Sequence, residues 1–546
     1  MGNSLWYKNA VFYEVYVRGF KDSSNDGNGD LNGLIEKTDY LQELGIDCLW
    51  LLPIYPSPLK DDGYDISDYY NILPDYGTLE DFKALVDTAH KRGMRVITDL
   101  VLNHTSDQHP WFQAARVNRN SPYRDYYVWS DTDQKYQDAR IIFLDTEKSN
   151  WTWDEAAGQY FWHRFYSSQP DLNYDNPAVQ DEMLNVIKFW LELGIDGFRV
   201  DAVPYLYERE GTNCENLPET HAFLKRIRCF IDDNYSDRVL LCEANQWAQD
   251  VLSYFGDGDE CHMGFHFPVM PRIFMALRKG DRTPLVDILA QTPDIPPDSQ
   301  WCTFLRNHDE LTLEMVTEDE RVWMWQEYAP EPRMRQNLGI RRRLAPLLGN
   351  NKRKIELAYS LLFSLPGSPV VYYGDEIGMG DNIWLPDRNG LRTPMLWDDG
   401  PNAGFSRAAA EELYTPQLYS QENGLNQVNV AAQRRDINSL WHRIRHMIRV
   451  HKENHVFGWG EFRWQDAGND TVAAYWRTLS ERSILIVNNL SPDTQNIRLR
   501  IPELCFSEPV DLLSGRKRGK FDGEYLVLLL QPFQFLWLNV NKYKSG

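Results

Sequence analysis

The chain has 546 residues, 42% hydrophobic and 25% charged, an ordinary composition for a globular protein with about three or four folding units of roughly 150 residues. Its 57 Lys and Arg against 79 Asp and Glu give a net charge of −22, which argues against nucleic acid or an anionic membrane as the main partner, since both need a basic face. No apolar run nears the ~20 residues that span a bilayer, the start Met1-Gly-Asn-Ser-Leu-Trp has no basic, apolar leader, and seven scattered cysteines lack a Cys-x-x-Cys pair, so a reduced, cytoplasmic protein is expected.

In chain order, eight short apolar runs read as strands: residues 11–17, 46–52, 95–101, 195–200, 239–244, 262–267, 302–307 and 369–373. Helix-patterned stretches at 34–44, 79–91 and 178–193 each end in glycine and feed the next apolar run. This alternation predicts βαβ units, and eight runs suit a (β/α)8 TIM barrel, an α/β fold. Residues 103–175 are aromatic and poor in helix pattern. They read as a lobe inserted after strand 3, leaving 1–102 and 176–457 for the barrel. Residues 310–351, rich in Arg and Trp, read as a helical excursion; long connections of this kind usually carry function. From 458 to 546 only strand-like runs follow, which predicts a C-terminal antiparallel β-sandwich domain.

Reactive groups of a barrel enzyme sit where strands end. Here those ends carry Asp99, Asn103-His104, Arg199, Asp201, Glu243 and Asn307-His308-Asp309. One acid at such a place is most simply an N-cap of the next helix. Three of them, each beside His or Arg, fit that account poorly. Two or three carboxylates without a redox cofactor suit glycosyl transfer, with one as nucleophile and one as proton donor. Arg199, two residues before Asp201, shares its strand face and favours its ionised form. Glu243, as the acid, needs a raised pKa. An aromatic content of 13%, with 19 Trp and 29 Tyr, suits sugar stacking as well as core packing. His262 and His266 lie four apart on a strand and read as packing residues, not a zinc pair.

The segments Asp99-Leu-Val-Leu-Asn-His104, Gly197-Phe-Arg-Val-Asp201, Glu243 and Asn307-His-Asp309 resemble the signature segments of the α-amylase family (glycoside hydrolase family 13), in order and spacing over the whole chain. The resemblance implies Asp201 as nucleophile, Glu243 as acid/base and Asp309 as transition-state stabiliser, with Arg199, His104 and His308 around the first sugar. Gln169, in Gln169-Pro-Asp-Leu-Asn173, matches the fifth segment of the oligo-1,6-glucosidase branch. Asp61, Tyr64 and Arg392 match that branch's clamp on the terminal glucose, which implies exo action on short α-glucosides. Tyr205-Leu-Tyr-Glu-Arg-Glu-Gly-Thr212, residues 307–316, Arg333-Met-Arg335 and residues 339–345 are similar to the trehalose synthase branch. That branch interconverts maltose and trehalose through bound glucose. The absence of a kinase-like extension points away from its kinase-fused form. Isomerisation requires a pocket closed to water, for which Arg140 of the lobe and Glu310 are candidate gates and Asn245 a contact to the second glucose; Arg140 is equally well a surface charge. A plain α-glucosidase with the same carboxylates and a wetter pocket is the runner-up. A non-catalytic member of the fold is disfavoured by the three carboxylates.

Two structural calcium sites are expected, one of which could hold magnesium, and no organic cofactor. The loop Asp22-Ser-Ser-Asn-Asp-Gly-Asn-Gly-Asp30 alternates oxygen ligands with glycines. It is no EF-hand, because Gly33 stands where the bidentate Glu would be. It resembles the branch's short metal loop, with Asp22, Asp26, Asn28 (through its backbone) and Asp30 as ligands, although Ser24 replaces the usual Asn. A metal-free Asx-turn loop explains it as well. The second site is implied by the resemblance alone: Asn103, Asp171 and Glu208, with carbonyls of Tyr205 and Leu206. Oligomeric state is left open.

Overall fold

A computed structural model describes residues 5–417, 427–501 and 509–540; the first four residues and Cys505 lie outside the described residues. Eight parallel strands close a barrel: β1 (Phe12–Val15), β2 (Cys48–Leu51), β3 (Arg95–Val101), β4 (Gly197–Asp201), β5 (Val239–Cys242), β6 (Met263–Phe265), β7 (Gln300–Phe304) and β8 (Ser368–Tyr372). All eight lie within or overlap the runs expected from the sequence. Each strand pairs with its neighbours in sequence, and β8 closes on β1. Every residue of β2, β4, β5 and β7 is buried, as parallel strands covered on both faces must be.

Local chemistry sets the helix ends. Thr78 caps Leu79–Lys91 reciprocally with Asp81. Gly45, at φ 100°, ends Thr38–Leu44 in the left-handed region and turns the chain into β2. The expected helix at 34–44 is in fact two, Leu31–Glu36 and Thr38–Leu44. Asp30 starts the first early by accepting from the Gly33 amide, and the Thr38 hydroxyl donates to the Ile35 carbonyl at 2.8 Å, interrupting the ladder. Gly197, at φ 150°, opens β4 where a Cβ would lie 2.0 Å from the Val239 carbonyl, so only glycine lets β4 and β5 pair there.

The segment between β3 and the helix Pro177–Glu192 carries a three-stranded sheet, Trp129–Ser130, Trp151–Asp154 and Gln159–Trp162. It also holds a helix the sequence did not announce, Pro110–Val117. Only Phe112 and Ala115 are buried in it, too few to show a period. The excursion after β7 is only partly helical. Glu318–Tyr328 is a helix with a Thr317–Glu320 capping box, followed by a small hairpin of Arg335–Gln336 and Gly339–Ile340.

The C-terminal residues form sheets of five and three strands over a core of their own. Arg477 ties them to the barrel by donating to the carbonyls of Ser364, Phe457 and Gly460. Among the described residues no helix is long and apolar enough to cross a membrane.

Candidate active site

The pairing of β3 with β4 sets Asp99 opposite Arg199 and Val101 opposite Asp201. Arg199 is buried at the centre of the site. Its Nη1 donates to Asp99 Oδ1 and Asp201 Oδ1, both at 2.5 Å, and its Nη2 lies 2.6 Å from Glu243 Oε1. Asp99 is held from behind by Trp50 Nε1 at 2.9 Å. Ala202, at φ 51°, turns the chain sharply after Asp201, and its amide donates to Glu243 Oε2 at 3.2 Å. One guanidinium thus holds three carboxylates, Asp201 and Glu243 among them.

Burial decides their proton affinities. It pushes Asp201 up to about 6 despite Arg199, so the arginine limits the rise but does not reverse it. Burial pushes Glu243 to about 7, with Arg199 opposing and Asp201 and Asp309 adding to the rise. Both are raised, and Glu243 is the better placed of the two to keep a proton while Asp201 is ionised.

Asp309 differs. Burial favours its neutral form, but His308, Arg388 and Arg392 hold it well below the usual carboxylate range. His308 Nε2 lies 3.1 Å from its Oδ2, while Arg388 and Arg392 donate to Oδ1 at 2.8 and 3.0 Å.

The expected clamp changes partner. Arg392 reaches Asp62 at 2.8 Å, not Asp61. Asp61 is held by Arg388 Nη2 at 2.6 Å and by Gln169 Nε2 at 3.0 Å. The 3-10 turn Asn389–Leu391 separates the two arginines, and Arg343 donates to the Leu391 carbonyl at 3.0 Å, fixing that turn.

One cavity gathers most of the expected residues: Asp61, Tyr64, His104, Asp201, Glu243, Asn245, Asp309 and Glu310 line it. Gln169, Arg199, His308 and Arg392 stand behind, bonded to the lining carboxylates. Residues not expected also line it: Ile142, Phe143 and Phe165 from the lobe, Phe267, and Thr312 and Glu314 from the excursion, besides Arg388. Asn245 donates to Thr312 at 3.2 Å. Burial pushes His104 down to about 3, so it faces the cavity as a neutral ring.

Arg140 is not an unpaired surface charge. It donates to Glu215 at 2.8 Å, Glu314 at 2.7 Å and the Tyr205 hydroxyl at 3.2 Å, bracing lobe, β4 loop and excursion together. Glu310 instead accepts from Asn337 at 3.2 Å. A second strap joins the lobe to the hairpin, with the Asn337 amide donating to Asp145 at 2.8 Å.

The two candidate metal sets behave differently. Asp22 accepts from the amides of Asn25 and Gly27 at 2.6 and 2.9 Å and from Ser406. Asp30 accepts from the amides of Ser23, Ser24 and Gly33. Asp26 takes the Asn28 amide, and the Asn28 side chain takes Arg18. These hydrogen bonds close the loop on itself. In the second set, Asn103 Oδ1, Asp171 Oδ2 and Glu208 Oε1 are all buried without a hydrogen-bond partner among the described residues. Burial pushes Asp171 to about 8, and burial plus Asp171 raises Glu208. Orphaned buried oxygens on neighbouring carboxylates fit a hard cation. His262 and His266 are buried packing groups: His262 Nδ1 accepts from the Leu240 amide, and His266 Nε2 bonds the Thr292 hydroxyl.

Comparison with known proteins agrees with this architecture. Residues 14–330 and 339–460 match the α-amylase catalytic domain, and residues 462–537 match the maltogenic amylase C-terminal domain. A trehalose synthase/amylase of Mycolicibacterium smegmatis (strain ATCC 700084 / mc(2)155) is 60% identical over 98% of this chain and 93% of its own length. A trehalose synthase of Pimelobacter sp. (strain R48) is 58% identical, covering 98% and 96%. The crystal structure of a trehalulose synthase superposes with a TM-score of 0.79 at 29% identity, covering 98% of this chain and all of the other. With the α-amylase catalytic-domain match covering residues 14–330 and 339–460, well over half of the chain, and such relatives aligned along nearly the whole length, the chain belongs to the α-amylase family.

Proposed function

We propose that this protein interconverts maltose and trehalose by a retaining double displacement through a glucosyl–Asp201 ester, with minor release of glucose. The observation that carries the reading is the arrangement around Arg199: Asp201 at 2.5 Å and Glu243 at 2.6 Å from one guanidinium, lining one cavity with Asp309. In the first step Asp201 attacks the anomeric carbon of the non-reducing glucose, and Glu243 gives its proton to the departing oxygen. Asp309, held ionised by His308 and two arginines, offsets the positive charge that develops on the sugar. The released glucose turns within the pocket, and its anomeric hydroxyl attacks the ester while the Glu243 carboxylate takes the proton. Two inversions retain the α configuration.

Isomerisation over hydrolysis needs water kept out while glucose turns. The lobe–excursion straps through Arg140–Glu314 and Asp145–Asn337 support that requirement, as do the trehalose synthases at 58–60% identity. Asp61, closed by Arg388, supports action on a terminal glucose. A calcium ion would be held by Asn103, Asp171 and Glu208 with carbonyls of Tyr205 and Leu206. It would join the lobe to the barrel and take no part in the transfer. The direct test is trapping with a 5-fluoroglucosyl fluoride and peptide mass spectrometry. A glucosyl adduct on Asp201 is expected; an adduct elsewhere, or none with activity retained in Asp201→Asn, contradicts the mechanism.

A further inference from the structure

One buried carboxylate has no part in the mechanism above. Glu14, on β1, is fully buried and does not line the cavity. Its Oε1 lies 2.5 Å from His308 Nδ1 and accepts the His308 amide at 3.2 Å. Its Oε2 has no hydrogen-bond partner among the described residues. On the far side of the ring, His308 Nε2 lies 3.1 Å from Asp309 Oδ2 and 2.9 Å from the Tyr64 hydroxyl.

A neutral imidazole has a single N–H. With a carboxylate facing each nitrogen, either neutral tautomer sets a lone pair against a carboxylate. The Nδ1–H tautomer could accept from the Tyr64 hydroxyl at Nε2, but it would still turn that lone pair toward Asp309; only the doubly protonated ring donates to both carboxylates. The other groups around it are the Tyr64 ring, stacked at 10°, the Trp50 edge from β2, Asp99 on β3, and Arg392, which donates to the His308 carbonyl at 3.1 Å. Burial opposes the charge on His308, yet Asp309 and Glu14 raise it to about 9.

We propose that Glu14 is a positioning residue for glucosyl transfer: it holds His308 doubly protonated and in one orientation, so that Nε2 donates to Asp309. Glu14 acts through the ring and never meets the sugar. The proposal rests on the role given above to Asp309.

Glu14→Gln keeps the side-chain shape and an acceptor for Nδ1–H, and removes only the charge. His308 then binds its second proton less tightly, and Nε2 stops donating as pH rises. Relative to the parent at the same pH, the variant should lose roughly tenfold in kcat at about pH 8 and little at about pH 5.5, with KM changed less than about threefold. An equal loss at all pH values would mark a merely structural role and overturn the proposal, as would an unchanged profile. Should the variant not fold, the unsubstituted protein still decides. With 15N-labelled histidine, both His308 ring nitrogens should carry protons at neutral pH, and a neutral ring overturns the proposal. Asp309→Asn serves as the control on the parent reading: full activity there removes the role of Asp309, while the NMR result on His308 stands separately.

Discussion

Arg388 Nη2 stands 2.6 Å from Asp61 Oδ1, and Arg388 Nη1 stands 2.8 Å from Asp309 Oδ1. One planar group therefore spans two carboxylates that line the cavity. A lysine cannot span them. Arg388→Lys should lower kcat/KM for maltose by about tenfold to a hundredfold, from the loss of one or two charge-assisted hydrogen bonds. Steady-state kinetics on the purified variant checks this.

The free enzyme should show a narrow bell in kcat/KM against pH. Asp201 must be ionised, so activity rises as pH climbs through about 6. Glu243 must be protonated, so activity falls above about 7. The two groups share Arg199 and influence each other, so the limbs belong to the pair and not to either residue alone. A plateau extending well above neutrality would contradict the assignment of Glu243 as the acid.

Arg140→Ala cuts the brace to Glu215, Glu314 and Tyr205. Its expected signature is a change in product ratio more than in rate. Glucose released per trehalose formed should rise about tenfold, the change expected if closure loses ~1.4 kcal/mol. Chromatography of the products at equal maltose consumption reads the ratio directly, and an unaltered ratio removes Arg140 from the closure.

Calcium should raise the melting temperature and a chelator should lower it, by about 5 °C when the site is saturated. Asp171→Asn should abolish that response, because it removes one of the orphaned oxygens. Replacing Asp26, whose carboxylate only accepts the Asn28 amide at 2.8 Å, should leave it in place.

The eight barrel strands were legible because parallel strands buried on both faces read as unbroken apolar runs, with a glycine ending the helix before several of them. The catalytic candidates were legible because they lie at or just past strand ends. Asp201 ends β4, and Glu243 follows β5 directly. What local pattern does not carry is the pairing across loops. Arg388 and Arg392 lie four apart in one motif, and only the fold shows that the first holds Asp61 and the second Asp62. Arg140 meets Glu314 across 174 positions. Glu14 is a single acid in an apolar strand, with no neighbour in sequence to mark it. The helix Pro110–Val117 and the two- and three-residue strands Val510–Asp511 and Lys520–Asp522 are too short to show a period.

The central claim is transfer within a closed pocket. Incubating the purified protein with maltose alone, and following anomeric protons by NMR, tests it most directly. A growing trehalose signal with little free glucose and no added nucleotide is the predicted result. Glucose without trehalose would contradict the account and mark a pocket open to water.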